Sequence, residues 1–188
     1  LLEMTPDILL TLLYGFVIIR IKLSKESYFK TTFYTFFITT GVCGVLTTTT
    51  HIAAAKFIYV DSTIVLFHTA WFMNHVGAIG SLIGKIIIVI HRYFVLRSVN
   101  YSENQWSLRT TRILIVLQFI IPSLLSSFIP FVGVTHVMRD GVETIDTLEE
   151  NGLMINKLIM VVNYIIYIIA CTIFTLLSIR AFGQMKTR

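Results

Sequence analysis

Charge is scarce in this chain. Only 13% of its 188 residues are Asp, Glu, Lys or Arg, whereas a soluble domain carries about 25%. Hydrophobic residues make up 55% and mean hydropathy is +0.80, which excludes an ordinary soluble fold and indicates an integral membrane protein. Cysteine is nearly absent as well. Cys43 and Cys171 both lie in apolar runs, where cysteine acts as a small buried hydrophobe. No CxxC spacing or Cys/His cluster argues for a metal, and nothing calls for a cofactor. No acid lies deep inside an apolar run. The first residue is Leu1, with neither an initiating methionine nor a signal-peptide pattern, so an N-terminus upstream is expected.

A membrane-crossing helix needs about 20 mostly apolar residues. Five stretches qualify, at about 6–23, 29–59, 63–96, 112–134 and 156–182. Pro6 suits a first helical turn, and Pro122 is expected to kink the fourth helix. Transmembrane strands would alternate apolar and polar residues, and IGKIIIVI or INKLIMVVNYIIYIIA does not. The expected fold is all-α: one polytopic helix bundle over 1–188, with no repeat and no soluble domain.

The basic residues alternate with the spans. Arg20, Lys22, Lys25 and Lys30 follow the first, Arg92, Arg97, Arg109 and Arg112 follow the third, and Arg180, Lys186 and Arg188 follow the fifth. The other side carries Glu3, Asp7, Asp61 and the acidic stretch RDGVETIDTLEEN, with only Lys56, Arg139 and Lys157 as basic residues. Cytoplasmic loops carry the Lys and Arg excess, so the N-terminus is expected outside and the C-terminal end inside. The net charge of +5 is therefore a topology signal, and nucleic acid is excluded as a partner. The acidic stretch, with no cysteine to tether it, is expected to be a solvated, mobile loop.

Polar residues inside spans tend to face protein and mark function. On the third span Trp71, Asn74, Ala78, Ser81 and Lys85 recur at three- and four-residue spacings and share a face, with His68 and His75 at its edges. Trp71, Asn74 and His75, with Asn163 on the fifth span, are candidate ligand-pocket residues. Helix–helix hydrogen bonding accounts for the same residues. Lys85 either snorkels to the surface or joins an internal polar network with Ser81. Thr47 to Thr50 cannot all face one way, so part of that run is expected to bond its own helix. His51 and Lys56 lie nearer the outside, while Gly41, Gly44, Ala53 and Ala54 suit close helix packing.

The end of the third span reads GKIIIVIHRYFVLRSVNYSENQWSLRTTRILIVL. Arg92 and Tyr93 resemble the Asp-Arg-Tyr corner of seven-helix G-protein-coupled receptors, with His91 in place of the acid. The stretch is closer still to the nematode serpentine chemoreceptors of the Srg superfamily, the Srv type nearest, with Tyr101 and Trp106 where that family places an aromatic and a tryptophan. The resemblance implies a chemosensory receptor seen as its first five helices of seven. Such a protein lies in the plasma membrane, in sensory-neuron cilia by family habit. It binds a small-molecule or peptide cue in the outer bundle and engages a heterotrimeric G protein through its cytoplasmic face. His91, Arg92 and Tyr93 would carry that switch. Arginine suits the role because its five fixed donors stay charged. With no acid at 91, His91, whose ordinary pKa is about 6.5, would modulate the arginine by protonation. Interfacial anchoring of His91, Arg92 and Arg97 is the plainer alternative.

A transporter or channel subunit would show paired mid-membrane ionisable groups, and only Lys85 is of that kind, histidines aside. A membrane-embedded enzyme would need clustered acids, histidines or a nucleophile with its base, and His51, His68, His75 and His136 are not so spaced, so no enzyme is expected. A non-signalling receptor fragment remains a further alternative. The one sequon, Asn100-Tyr101-Ser102, falls on the expected cytoplasmic side. It should carry no glycan, and a mobility shift on glycosidase treatment of cell-derived protein would invert the orientation.

Overall fold

The computed structural model describes residues 5–23, 32–56, 61–97, 107–139 and 141–186. Five helices dominate: α1 Thr5–Leu23, α2 Thr32–Lys56, α3 Ile64–Arg97, α4 Leu108–Leu125 and α5 Glu150–Lys186. Two short 3-10 turns, Asp61–Thr63 and Ile129–Phe131, precede α3 and follow α4. The helices α2, α3 and α5, and the stretch from Arg109 to Phe131 that includes α4, are long and apolar enough to cross a membrane. The apolar part of α1, Leu12–Ile21, is shorter, so four spans meet the criterion among the described residues where five were expected. The expected extensions of the second span to 29 and 59 fall outside the described residues, as do Asn100, Tyr101 and Trp106.

α3 lies at the centre and packs against α2, α4 and α5, while α1 packs on α2. The α2–α3 seam is antiparallel and glycine-lined. A methyl group added at Gly77 would meet the Cys43 carbonyl and the Thr47 amide at 2.9 Å, so backbone faces backbone there. Gly80 faces Cys43, Gly84 faces Thr40, and His91 lies beside Phe36 and Phe33. Partners thus descend along α2 as α3 ascends. Small residues that let backbones approach are how membrane helices associate when hydrocarbon offers no hydrophobic drive. The sequence reading named Gly41 and Gly44 for this role. Gly41 does sit against Tyr14 and Ile18 of α1, but Gly44 has nothing within 4 Å of an added methyl.

All of Thr47, Thr48, Thr49 and Thr50 donate to the carbonyl four residues back, at 2.8, 3.2, 2.8 and 2.6 Å. The run satisfies itself along α2, leaving no hydroxyl proton orphaned in an apolar layer.

Four departures from the sequence reading concern α4 and the segment that follows it. The helix starts earlier than expected, because Ser107 caps it by accepting from the Thr110 amide at 3.1 Å. It also stops at Leu125 rather than near 134, three residues beyond the buried Pro122. The acidic stretch is a β-hairpin, not a mobile loop: β1 Val134–Arg139 pairs antiparallel with β2 Val142–Leu148. Asp140-Gly141 is a two-residue hairpin signal, and Gly141 adopts φ +78. Within β2, Thr144, Ile145 and Leu148 are buried while Glu143 and Asp146 are exposed, and that division lets an acidic strand fold against an apolar helix. α5 then begins at Glu150, six residues before its expected start.

Added methyl groups separate the seam from the open faces. Gly77→Ala should destabilise the folded bundle by about 1–3 kcal/mol through overpacking, whereas Gly44→Ala should leave it unchanged, as read by thermal unfolding in detergent.

Candidate functional site

None of the expected ligand-pocket residues lines any of the three clefts described below. Phe67, 1% exposed, forms an apolar cluster with Ile145 and Leu148 of the hairpin, and Trp71 packs against it with Ile64, Val132, Val134 and Leu153. Trp71 is thus part of a cap joining hairpin to helix end. His75 stacks on Trp71 with ring centroids 5.9 Å apart and is bonded through Nδ1 to the Trp71 carbonyl at 2.9 Å. Asn163 donates to the Ile159 carbonyl of its own helix at 2.8 Å, which leaves it no inward task. Asn74 is half-buried with its side-chain oxygen enclosed and unpartnered. The bonds that His75 and Asn163 make run to their own helices, and the Trp71 Nε1 has no partner among the described residues, so helix–helix hydrogen bonding, the alternative reading, is not what these three residues do.

His91, Arg92 and Tyr93 point in three directions. His91 is buried against α2, 6.3 Å from the Phe33 ring and 6.4 Å from that of Phe36. Arg92 is exposed and lines a cleft between α3 and α5 with Val89, Leu96, Thr175, Ser178 and Phe182, about 290 Å³ in volume. Tyr93 packs on Phe174 of α5 at 5.8 Å and accepts a 3.1 Å hydrogen bond from Arg97. A neighbouring cleft of about 230 Å³ brings Arg97 and Arg180 together beside Tyr93. Successive helical residues are turned by about 100°, at 3.6 residues per turn. The His91 ring therefore cannot lie on the Arg92 side, and direct modulation of that arginine by His91 has no geometric support.

The two ends of the bundle differ in charge. α3 and α5 run parallel, as Tyr93 with Phe174 and Phe67 with Leu153 show. α2 and α4 run against them, so Arg92, Arg97, Arg109, Arg112 and Arg180 gather at one end. The hairpin holds Glu143, Asp146 and the adjoining Glu149 and Glu150 at the other. His136 and Glu143 approach to 3.8 Å on the hairpin surface. Among the described residues no group of three His, Cys, Asp or Glu side chains is placed to hold a metal ion.

Lys85 and Ser81 line a different cavity, a groove of about 180 Å³ shared with Tyr14, Thr40, Gly44 and Thr48 of α1 and α2. The Lys85 ammonium also lies 6.0 Å from the Tyr167 ring of α5. Gln118, which the sequence reading passed over, is fully buried where three helices meet. Its amide donates to the Gly80 carbonyl at 3.0 Å, with Thr40 Oγ1 at 3.5 Å and Cys43 Sγ at 3.7 Å. A lone amide in the run ILIVLQFII was the available signal. Compared with known proteins, the chain matches no family model and no curated protein.

The cap rests on one aromatic side chain more than on any polar contact. Phe67→Ala should cost about 3–5 kcal/mol, the usual range for emptying a buried aromatic site, and should expose the hairpin to limited proteolysis at temperatures where the parent chain resists it.

Proposed function

We propose that this chain is the first part of a seven-helix chemosensory receptor of the serpentine type. In this reading its basic end faces the cytosol and engages a heterotrimeric G protein, with the N-terminus outside and the bundle in the plasma membrane. The observation that carries the reading is the Arg92 cleft. At the basic end of the central helix, an exposed guanidinium sits in an open space between α3 and α5, with the Ser178 and Thr175 side chains opposite. Arg97 and Arg180 flank the adjoining cleft. A helix C-terminus presents unsatisfied carbonyls and about half a negative charge, and three guanidiniums around a cleft are a complementary receiver for one.

Both walls of the cleft belong to helices that touch through side chains, Tyr93 on Phe174 among them. A small slide of α5 against α3 would change the cleft's width without breaking backbone bonds. A cue bound at the far end would act by favouring one of the two packings, and only its difference in affinity between them can do the switching. The charge asymmetry of the two ends agrees with the excess of Lys and Arg on cytoplasmic segments. The resemblance of HRYFVLR and its surroundings to the serpentine receptors supplies the functional class.

In cells, Arg92→Ala should abolish cue-dependent G-protein activation while surface expression stays within about twofold of the parent, since an exposed side chain contributes little to folding. Unchanged activation removes the role. Orientation is read separately: with the native cysteines removed, an impermeant thiol reagent on intact cells should label Val142→Cys, on the exposed hairpin edge, and spare Arg109→Cys.

A further inference from the structure

The cleft beside Tyr93 is walled by side chains that give hydrogen bonds and by none that accepts only. Tyr93, Arg97, Leu177, Arg180 and Ala181 line about 230 Å³ between the last turn of α3 and α5. The Arg97 guanidinium donates through Nη1 to the Tyr93 hydroxyl at 3.1 Å and stands 6.0 Å from the centre of that ring, which holds its fork beside the cleft. A guanidinium has five N–H donors and no acceptor, so most of its donors are left for whatever fills the space. The Tyr93 oxygen, accepting from Arg97, keeps its own proton to give. Arg180 brings a second fork. No carboxylate lines the cleft, and neither arginine forms an ion pair among the described residues. The two acids that the sequence places at this end, Glu26 and Glu103, lie outside the described residues.

The depth of the cleft narrows the choice of occupant. From Leu158 to Ile179 α5 carries no charged residue, and Lys157 and Arg180 bracket that run. Twenty-three residues at about 1.5 Å each separate the two charges by about 34 Å, close to the thickness of a bilayer's hydrocarbon core, about 30 Å. Arg180 therefore stands where acyl chains give way to headgroups. Below the cleft, Leu177 is followed at four-residue steps by Ile173 and Ile169, both exposed, so an apolar stripe leads from the basic cleft into the hydrocarbon layer. Two guanidiniums match a group with close to two negative charges. A phosphate monoester carries about −1.5 to −2 near neutral pH, whereas the single charge of a phosphatidylcholine is cancelled by its own choline.

We propose that the cleft of Tyr93, Arg97 and Arg180 binds the phosphate monoester headgroup of an anionic membrane lipid, whose acyl chains lie along the Leu177–Ile173–Ile169 stripe. Planar guanidiniums bind phosphate oxygens in pairs, and the Tyr93 hydroxyl supplies a further donor from the same side. Arg92 lines the adjoining cleft and takes no part. The site needs only the membrane-spanning bundle and the charge of this end, so it would stand in a chain that couples to no G protein.

The full chain, purified in detergent and offered phosphatidic acid and phosphatidylcholine together, tests this by native mass spectrometry. Each basic residue at an anionic surface contributes about fivefold to binding, so phosphatidic acid should be retained about twentyfold over phosphatidylcholine. Arg97→Gln and Arg180→Gln should each lower that ratio about fivefold, while Arg109→Gln, at the same end but outside the cleft, should leave it within about twofold. Arg180→Lys keeps the charge without the fork and should fall between the parent and Arg180→Gln. Without lipid the variants should melt with the parent, these side chains being exposed; where a Gln variant melts lower, the Arg180→Lys ratio decides. Equal losses in all three Gln variants would show diffuse attraction to a basic surface and overturn the site. So would an unchanged ratio when Arg97→Gln and Arg180→Gln are combined. Inorganic phosphate that displaces phosphatidic acid at equal concentration would make this a site for the free anion and overturn the lipid assignment.

Discussion

Close approach of α2 and α3 is the constraint on which the remaining geometry depends. Hydrocarbon gives apolar helices no reason to prefer one another over lipid, so association rests on packing and on the few polar contacts that lipid cannot replace. Gly77, Gly80 and Gly84 turn one stripe of α3 into bare backbone. α2 then comes near enough for the Gln118 amide of α4 to reach the Gly80 carbonyl and the Thr40 hydroxyl from the side. The central helix is thereby fixed in rotation, and every other placement follows. His91 is committed to α2, Arg92 to the α5 side, Phe67 and Trp71 to the hairpin, and Lys85 to a groove that it lines with residues of α1 and α2.

The two ends of the bundle are built on different physics. At the hairpin end, order comes from burial: Phe67, Ile145 and Leu148 exclude solvent while Glu143 and Asp146 stay outside. At the opposite end, side chains bridge α3 and α5 through rings and guanidiniums, and the clefts beside them stay open. α5 connects the two ends. No residue from Lys157 to Gly183 is buried, although the helix touches α3 along one side.

Much of this was legible in the residues. Hydropathy located the four long spans, though not all their ends, because about 20 apolar residues in sequence have few structures open to them. The threonine run declared its own solution, since four adjacent hydroxyls cannot share one neighbour. The hairpin was missed because five acids drew attention away from Asp140-Gly141 and the alternating Val134, Val142 and Ile145. The glycine stripe was missed because close packing was sought only on the second span, at Gly41, Gly44, Ala53 and Ala54, while Gly77, Gly80 and Gly84 sit at three- and four-residue spacings on the third. Trp71, Asn74, His75 and Asn163 could be placed on faces by sequence but not matched to a cleft, for a general reason. Periodicity says which residues share a face, but not whether that face meets a void, a hairpin or the helix's own carbonyls.

The hairpin's attachment has one last consequence. It is held to α3 by Phe67, Ile145 and Leu148 and by no sulfur bridge, the two cysteines being free and elsewhere in the fold. A latch made of buried apolar surface ignores thiol reductants and glutathione potential. It also loosens on cooling, because the tendency of apolar surface to leave water weakens as temperature falls. Any access to the bundle that the hairpin controls is therefore set by warmth rather than by redox state.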